Sequence, residues 1–256
     1  MKLGYAGKRV LRGLLLLGVV LLAWEGLYRV HVFNHCLWPS VFRVGQTLVS
    51  MIASGELQKN LGVSLARILF GFVSGTFIAL GVAFTCIISK RAAFLVEPLV
   101  YLSFPVPRFI LLPFIVILFG AGWFGNVVFL SIGAFYPLVI NTVEGFRSLD
   151  RNYMDVAVHY GASGWNLYRR VIFPGTLPAL FTGLRIGFGF TLTYTIILEY
   201  LNTDTGLGAV MWLSLQTLQI DKLAVMAIMV AAINMTFVFL LIAVEQKFTP
   251  WSSSQK

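Results

Sequence analysis

Charge is what this 256-residue chain has least of: Asp, Glu, Lys and Arg make up 11% of it, against about 25% in a soluble globular protein. So small a polar supply cannot cover a water-facing surface. Hydrophobic residues reach 58%, with 22 Phe and 24 Gly, a composition suited to helices solvated by lipid. Cysteine is scarce too. Cys36 sits in a polar connector and Cys86 in an apolar run, which argues against a disulfide, and neither belongs to a metal-ligand spacing. His31, His35 and His159 are scattered, so no metal site is expected. There is no G-x-x-x-x-G-K-S/T loop, so no ATPase activity is expected on this chain. The paired acids, histidine clusters and nucleophile–base pairs of a membrane enzyme are missing, as is the apolar alternation of barrel strands.

What is present is six apolar stretches, roughly 10–30, 61–88, 93–119, 123–143, 177–201 and 222–245, each near the ~20 residues a helix needs to cross about 30 Å of hydrocarbon. Backbone groups in lipid must bond within their own segment. The expected fold is therefore an all-α membrane protein of about six transmembrane helices, a single domain over 1–256. The N-terminal stretch has the charge and early apolar run of a signal peptide but no small-residue cleavage site, and reads as a retained first span. The formal charge of +9 is dispersed among apolar runs, so nucleic acid is not an expected partner. With the N-terminus in the cytoplasm, Lys2, Lys8, Arg9, Arg12, Lys90, Arg91, Arg147, Arg151, Arg169, Arg170, Lys247 and Lys256 fall on the cytoplasmic side, leaving Arg29, Arg43, Lys59 and Lys222 outside. That asymmetry predicts both termini inside.

Two connectors exceed a turn. In 31–60, Ser40 is placed to cap a short amphipathic helix that ends near Gly55 and lies at the outer interface. The connector 144–176 is the most polar segment and reads as two short helices, one from Asp150 to Tyr160 broken by Gly161, the other starting near Ser163 and ending before Pro174. Charges inside spans are costly and face a bundle interior or a watery cavity. Glu97, Arg185 and Arg67 lie near span ends, where snorkelling accounts for them. Arg108 follows Pro105 and Pro107, which break or kink the third span. There it can hold an oxyanion through two hydrogen bonds, or pair with Glu97. Glu199 precedes a re-entrant loop over 202–208, where an outer gate and a hydrogen bond to the loop backbone are both open readings.

The order Asp155-Val156-Ala157-Val158-His159-Tyr160-Gly161-Ala162, followed by Trp165, Arg169, Arg170 and Pro174, resembles the coupling motif of importer permeases of the ATP-binding-cassette superfamily. That motif reads E-A-A, three residues, G, nine residues, I, one residue, L-P. Asp155 stands at the Glu, Val156 and Ala157 at the two Ala, and Phe173 at the Leu. Residues 64–72, Pro105, Pro107 and Pro113, residues 133–137 and 182–187, and Glu199 with 206–208 extend the resemblance to the nitrate, sulfonate, taurine and bicarbonate group. Arg108 stands where that group has a neutral residue.

The resemblance implies a type I importer permease fold in the bacterial plasma (inner) membrane, with a cytoplasmic coupling helix between spans four and five. Asp155, Val156, Ala157, Gly161, Ala162 and Pro174 would carry the coupling, and Pro105, Pro107, Arg108 and Glu199 the translocation path or gate. The implied partners are a second copy of the chain, two cytoplasmic ATP-binding-cassette ATPase subunits holding the ATP and Mg, and an extracytoplasmic solute-binding protein. The implied cargo is a small oxyanion such as a sulfonate, nitrate or bicarbonate, and this chain itself is a non-catalytic subunit without a cofactor. The rival reading, an ion-gradient-driven secondary transporter or channel, predicts broken or charged helices in repeated halves, and the sequence has no internal duplication.

Overall fold

The computed structural model describes residues 5–30 and 38–251, without the side chains of 5–12, 14, 17, 151 and 153. Cys36, His31 and His35 lie outside the described residues. Among the described residues the chain is helical and contains no strand. The helices are α1 (Tyr5–Arg29), α2 (Val41–Ala53), α3 (Glu56–Ile88), α4 (Lys90–Ser103), α5 (Leu112–Phe119), α6 (Trp123–Arg147), α7 (Arg151–His159), α8 (Gly164–Leu167), α9 (Phe173–Asn202), α10 (Leu207–Gln216) and α11 (Ile220–Phe248). Four helices are long and apolar enough to cross a membrane, and five if the bent α4–α5 pair is one span. The stretch expected at 10–30 falls on α1.

Packing centres on α6, which lies against α3 on one side and α9 on the other. Lipid tails are as apolar as leucine, so helices in a bilayer associate through close packing rather than hydrophobic exclusion, and small residues permit the approach. Here Gly71 and Gly75, one turn apart on α3, meet α6. A Cβ on Gly75 would lie 2.2 Å from the backbone oxygen of Ser131, and one on Gly71 would lie 2.4 Å from Leu130 Cβ. On the other flank Gly133 sits against the backbone of Thr191, where a Cβ would come within 2.8 Å. The buried side chains between these crossings, Phe129, Leu130, Ala134, Leu138, Phe188 and Leu198, are large and apolar with small ones interleaved.

The ends of the elements follow local chemistry. Ser40 caps α2 by accepting from the Arg43 N–H at 3.2 Å, and Gly55 (φ +77°) turns the chain into α3, as the sequence predicts. Ser89 does the same for α4, accepting from Ala92 N–H at 3.3 Å. The expected third span over 93–119 is not one helix. Pro105 and Pro107 have no N–H to donate, so the helical ladder stops after Ser103. A 3-10 turn, Arg108–Leu111, then leads into α5, and the two halves meet at a bend of 100°.

The α3–α6 approach has a direct test. Gly75→Leu should lower the unfolding midpoint of the detergent-purified chain by the equivalent of about 1–3 kcal/mol, the usual range for overpacking, because the obstacle is backbone. The same change at Gly62, where a Cβ meets nothing within 4 Å, should be near neutral.

Candidate functional site

Three polar features stand out from the apolar bundle, and α9 connects two of them. At its N-terminal end is a knob. Asp150 caps α7 by accepting from Asn152 N–H at 2.9 Å, and the helix closes with two paired bonds, Ala162 N–H to Ala157 O and Gly161 N–H to Val158 O, both 2.9 Å. This is a Schellman closure, which requires a left-handed residue at Gly161, and its φ is +84°. The backbone bond ties Ala162 to Ala157 across the reversal that Gly161 makes possible. Around this turn Asp155, Val156 and Val158 are exposed, Tyr160 is 90% exposed and Trp165 65%.

The root of the knob is held differently from what the sequence predicts. The second short helix does not end before Pro174: residues Gly164–Asn202 run as one 39-residue helix. A proline ring clashes with the carbonyl four residues back, and a π turn relieves this. Such a turn occupies Tyr168–Ile172, where the Phe173 N–H reaches back to Tyr168 O, and Pro174 follows in the first turn of α9. Tyr168 stacks on Trp165 (centroids 5.4 Å apart, planes at 12°) and tilts against Phe84 of α3 at 4.8 Å.

At the C-terminal end of α9 is a buried polar network. Glu199 is fully buried and Arg67 is 8% exposed. Arg67 Nη1 donates to Glu199 Oε1 at 2.9 Å and to the Thr205 carbonyl at 2.6 Å. The Ser64 hydroxyl lies 2.8 Å from both Glu199 oxygens. The first amides of α10 complete it: Gly206 N–H donates to Asn60 Oδ1 at 2.9 Å, Leu207 N–H to Ser64 Oγ at 2.8 Å and Gly208 N–H to Glu199 Oε2 at 3.0 Å. These are amides that an α-helix leaves unpaired, and the carboxylate also complements the positive end of the helix dipole. Gly206 permits the fit, since a Cβ there would lie 2.3 Å from the Glu199 carboxylate. The hydrogen bond between Glu199 and the backbone of 202–208 expected from the sequence is present, through Gly208 N–H.

Arg67 therefore does not snorkel, as its position near the span end suggested. Its charge is neutralised in the interior by an acid 132 residues away in sequence. Asn60 and Ser64 were also passed over. The signal available was their spacing with Arg67, i, i+4 and i+7, which puts all three polar groups on one face of an apolar helix. The other expected snorkelling residues are paired too: Glu97 of α4 binds Arg147 of α6, and Arg185 of α9 donates to Glu245 of α11 at 2.5 Å. Glu97 is thus occupied by Arg147 and does not pair with Arg108. Arg108 instead lies over two rings, 4.4 Å from Tyr136 and 4.8 Å from Phe104. Pro105 and Pro107 hold the bend that puts it there.

These features define a class: a multi-pass helical membrane protein with a capped knob at one end and a buried polar network at the other. Residues 71–250 match the family described as binding-protein-dependent transport system inner membrane component, and the chain belongs to that family of ATP-binding-cassette importer permeases. Relatives include a Bacillus subtilis (strain 168) protein named as an aliphatic sulfonates transport permease, 27% identical over 95% of this chain and 88% of its own length. A protein of the same description from Escherichia coli (strain K12) is 29% identical over 84% and 82%. The taurine transport system permease protein of that strain is 25% identical over 92% and 87%.

The network generates a paired prediction. Arg67→Met leaves a buried carboxylate without its counter-charge and should destabilise the purified chain by about 3–5 kcal/mol. Adding Glu199→Gln to that variant should recover part of the loss in a thermal unfolding experiment. Equal losses in the single and double variants would show that the ion pair is not what holds the network.

Proposed function

We propose that this chain is one permease subunit of an ATP-driven importer, forming with a second copy the translocation path for a small solute. Its knob docks into one of two cytoplasmic ATP-binding-cassette subunits, the second copy's knob into the other, and its opposite face receives solute from an extracytoplasmic binding protein. The orientation is that of the positive-inside asymmetry, with α7, Arg147, Arg169 and Arg170 in the cytoplasm and both termini there as well. The whole of 1–256 acts as one membrane domain, with α1 the first of six spans. ATP and Mg belong to the partner ATPase.

The observation that carries this reading is the knob. Its apolar side chains are exposed at the end of a polar connector, where lipid does not solvate them, and exposed apolar surface of this kind marks a protein contact. A loop that only joined two spans would not need a capped helix, a Schellman reversal and an aromatic root against α3. Asp155, Val156, Ala157, Gly161 and Ala162 shape the contact, and Pro174 sets the start of the helix that leads away from it. The shorter Asp155 in place of the motif's Glu keeps the charge with less reach. In the transport cycle, closure of the ATPases on ATP moves the knob and opens the path outward.

The cargo is a small oxyanion such as a sulfonate, nitrate or bicarbonate. The names of the sulfonate and taurine permeases support the first of these.

Two substitutions test the docking. A Cβ at Gly161 would meet nothing within 4 Å, so Gly161→Val acts through backbone conformation, where a β-branched residue at positive φ is strained by about 1–2 kcal/mol. In proteoliposomes with the partner ATPase and binding protein, Gly161→Val and Asp155→Arg should each reduce ATP-driven uptake about tenfold or more, equivalent to roughly 1.4 kcal/mol of coupling, while the chain remains inserted. Undiminished uptake in both variants would rule out the docking role.

A further inference from the structure

Arg108 is an interior cation with no acid paired to it among the described residues. It lies near the middle of the third apolar stretch, just past the break that Pro105 and Pro107 impose. The ion pairs among the described residues join Arg29 to Glu25, Arg43 to Asp221, Arg67 to Glu199, Arg147 to Glu97, Arg185 to Glu245 and Lys222 to Glu56, and none involves Arg108. Its Nη2 is buried and has no hydrogen-bond partner. Every other charged side chain described within the apolar stretches is ion-paired. A cation at this depth without a counter-charge is costly, and such groups line substrate pathways.

The surroundings specify more than a charge. The guanidinium lies over Phe104 and Tyr136, and Phe190 and Tyr194 complete the lining of the same narrow crevice. The crevice therefore offers one planar, two-pronged donor and several aromatic faces. A guanidinium fork matches two oxygens of a sulfonate or carboxylate, while aromatic walls favour an apolar body and add little for a bare inorganic ion.

We propose that Arg108 and the rings of Phe104, Tyr136, Phe190 and Tyr194 form a subsite in the translocation path for an organic oxyanion, with the charged head on Arg108 and the carbon body against the rings. The inference rests on the permease reading and narrows its cargo from oxyanions in general to those carrying an apolar group. In the present conformation the crevice is closed onto the guanidinium. The anion enters as Arg108 leaves the ring faces, so the cation–π contacts hold the side chain in place between transport events. Bidentate geometry makes arginine preferable to lysine at this position.

The test uses the full-length chain purified in detergent, with sodium butanesulfonate and sodium nitrate as probes at matched ionic strength in sodium chloride. Butanesulfonate should raise the unfolding midpoint of the wild type in a saturable manner, and nitrate should need about ten- to hundredfold higher concentration for the same shift, the equivalent of a few kilocalories of ring contact. Arg108→Met should respond to neither probe and should keep a cooperative unfolding transition, because it breaks no ion pair and loses only the two cation–π contacts. Arg108→Lys should respond to butanesulfonate more weakly. A wild type indifferent to butanesulfonate, an equal response to nitrate, or a response retained in Arg108→Met would each overturn the proposal. Stimulation of ATP hydrolysis by the binding protein in the complete transporter separates the two claims. If wild type is stimulated but lacks the anion response, the subsite is wrong and the permease reading stands; if wild type is not stimulated, the permease reading falls and the subsite falls with it.

Discussion

The approach of backbone to backbone along α6 is the constraint on which the rest of this molecule depends. With Gly75 against Ser131 and Gly133 against Thr191, there is no room for a side chain at either crossing. In lipid, where hydrophobic exclusion contributes little between helices, such contacts are the main source of cohesion. They hold α3, α6 and α9 as one unit, and the polar features are placed by it. The aromatic root of the knob rests on α3 through Phe84 and Tyr168, and the network at the other end joins α3 to α9 through Arg67 and Glu199.

The uninterrupted helix Gly164–Asn202 gives that unit its mechanical character. At about 1.5 Å per residue, 39 residues extend farther than the hydrocarbon core is thick. One end carries the knob and the other carries Glu199, which caps α10. In the proposed transport cycle a displacement at the ATPase is therefore delivered to the α10 loop through a single element rather than through a relay of loops. The buried ion pair is suited to specify one arrangement at that end: an isolated carboxylate there would be intolerable, so α10 and α3 must either remain docked or separate together. By contrast, the α4–α5 segment is broken and lightly held, and it carries the one interior cation that has no acid beside it among the described residues.

Much of this was legible in the sequence, for identifiable reasons. Composition settles membrane insertion because lipid imposes a single solvent on nearly every outward position. Pro105 and Pro107 announce the break, since a missing N–H acts locally. Asp150 and Gly161 bound the knob by cap chemistry that depends on few neighbours. The failures were all non-local or compensated. Pro174 suggested a stop, but a first-turn proline is tolerated and the π turn absorbs its ring. Arg67 looked like a snorkelling residue because its partner is 132 residues away, although its helical register with Asn60 and Ser64 carried the information. Arg108 and Glu97 share one apolar stretch and invited pairing, but Arg147 arrives from α6 to take the acid.

The central claim is that the knob is a docking element for an ATPase, and proximity tests it most directly. A photo-crosslinking phenylalanine analogue placed at Tyr160, 90% exposed on the knob, can be compared with one at Trp123, at the far end of α6 and also exposed, in membranes containing the complete transporter. The account predicts that Tyr160 forms an adduct with the ATPase subunit, that Trp123 does not, and that Gly161→Val weakens the adduct. An ATPase adduct from Trp123 alone, or none from Tyr160 in a chain that is inserted and folded, would contradict it.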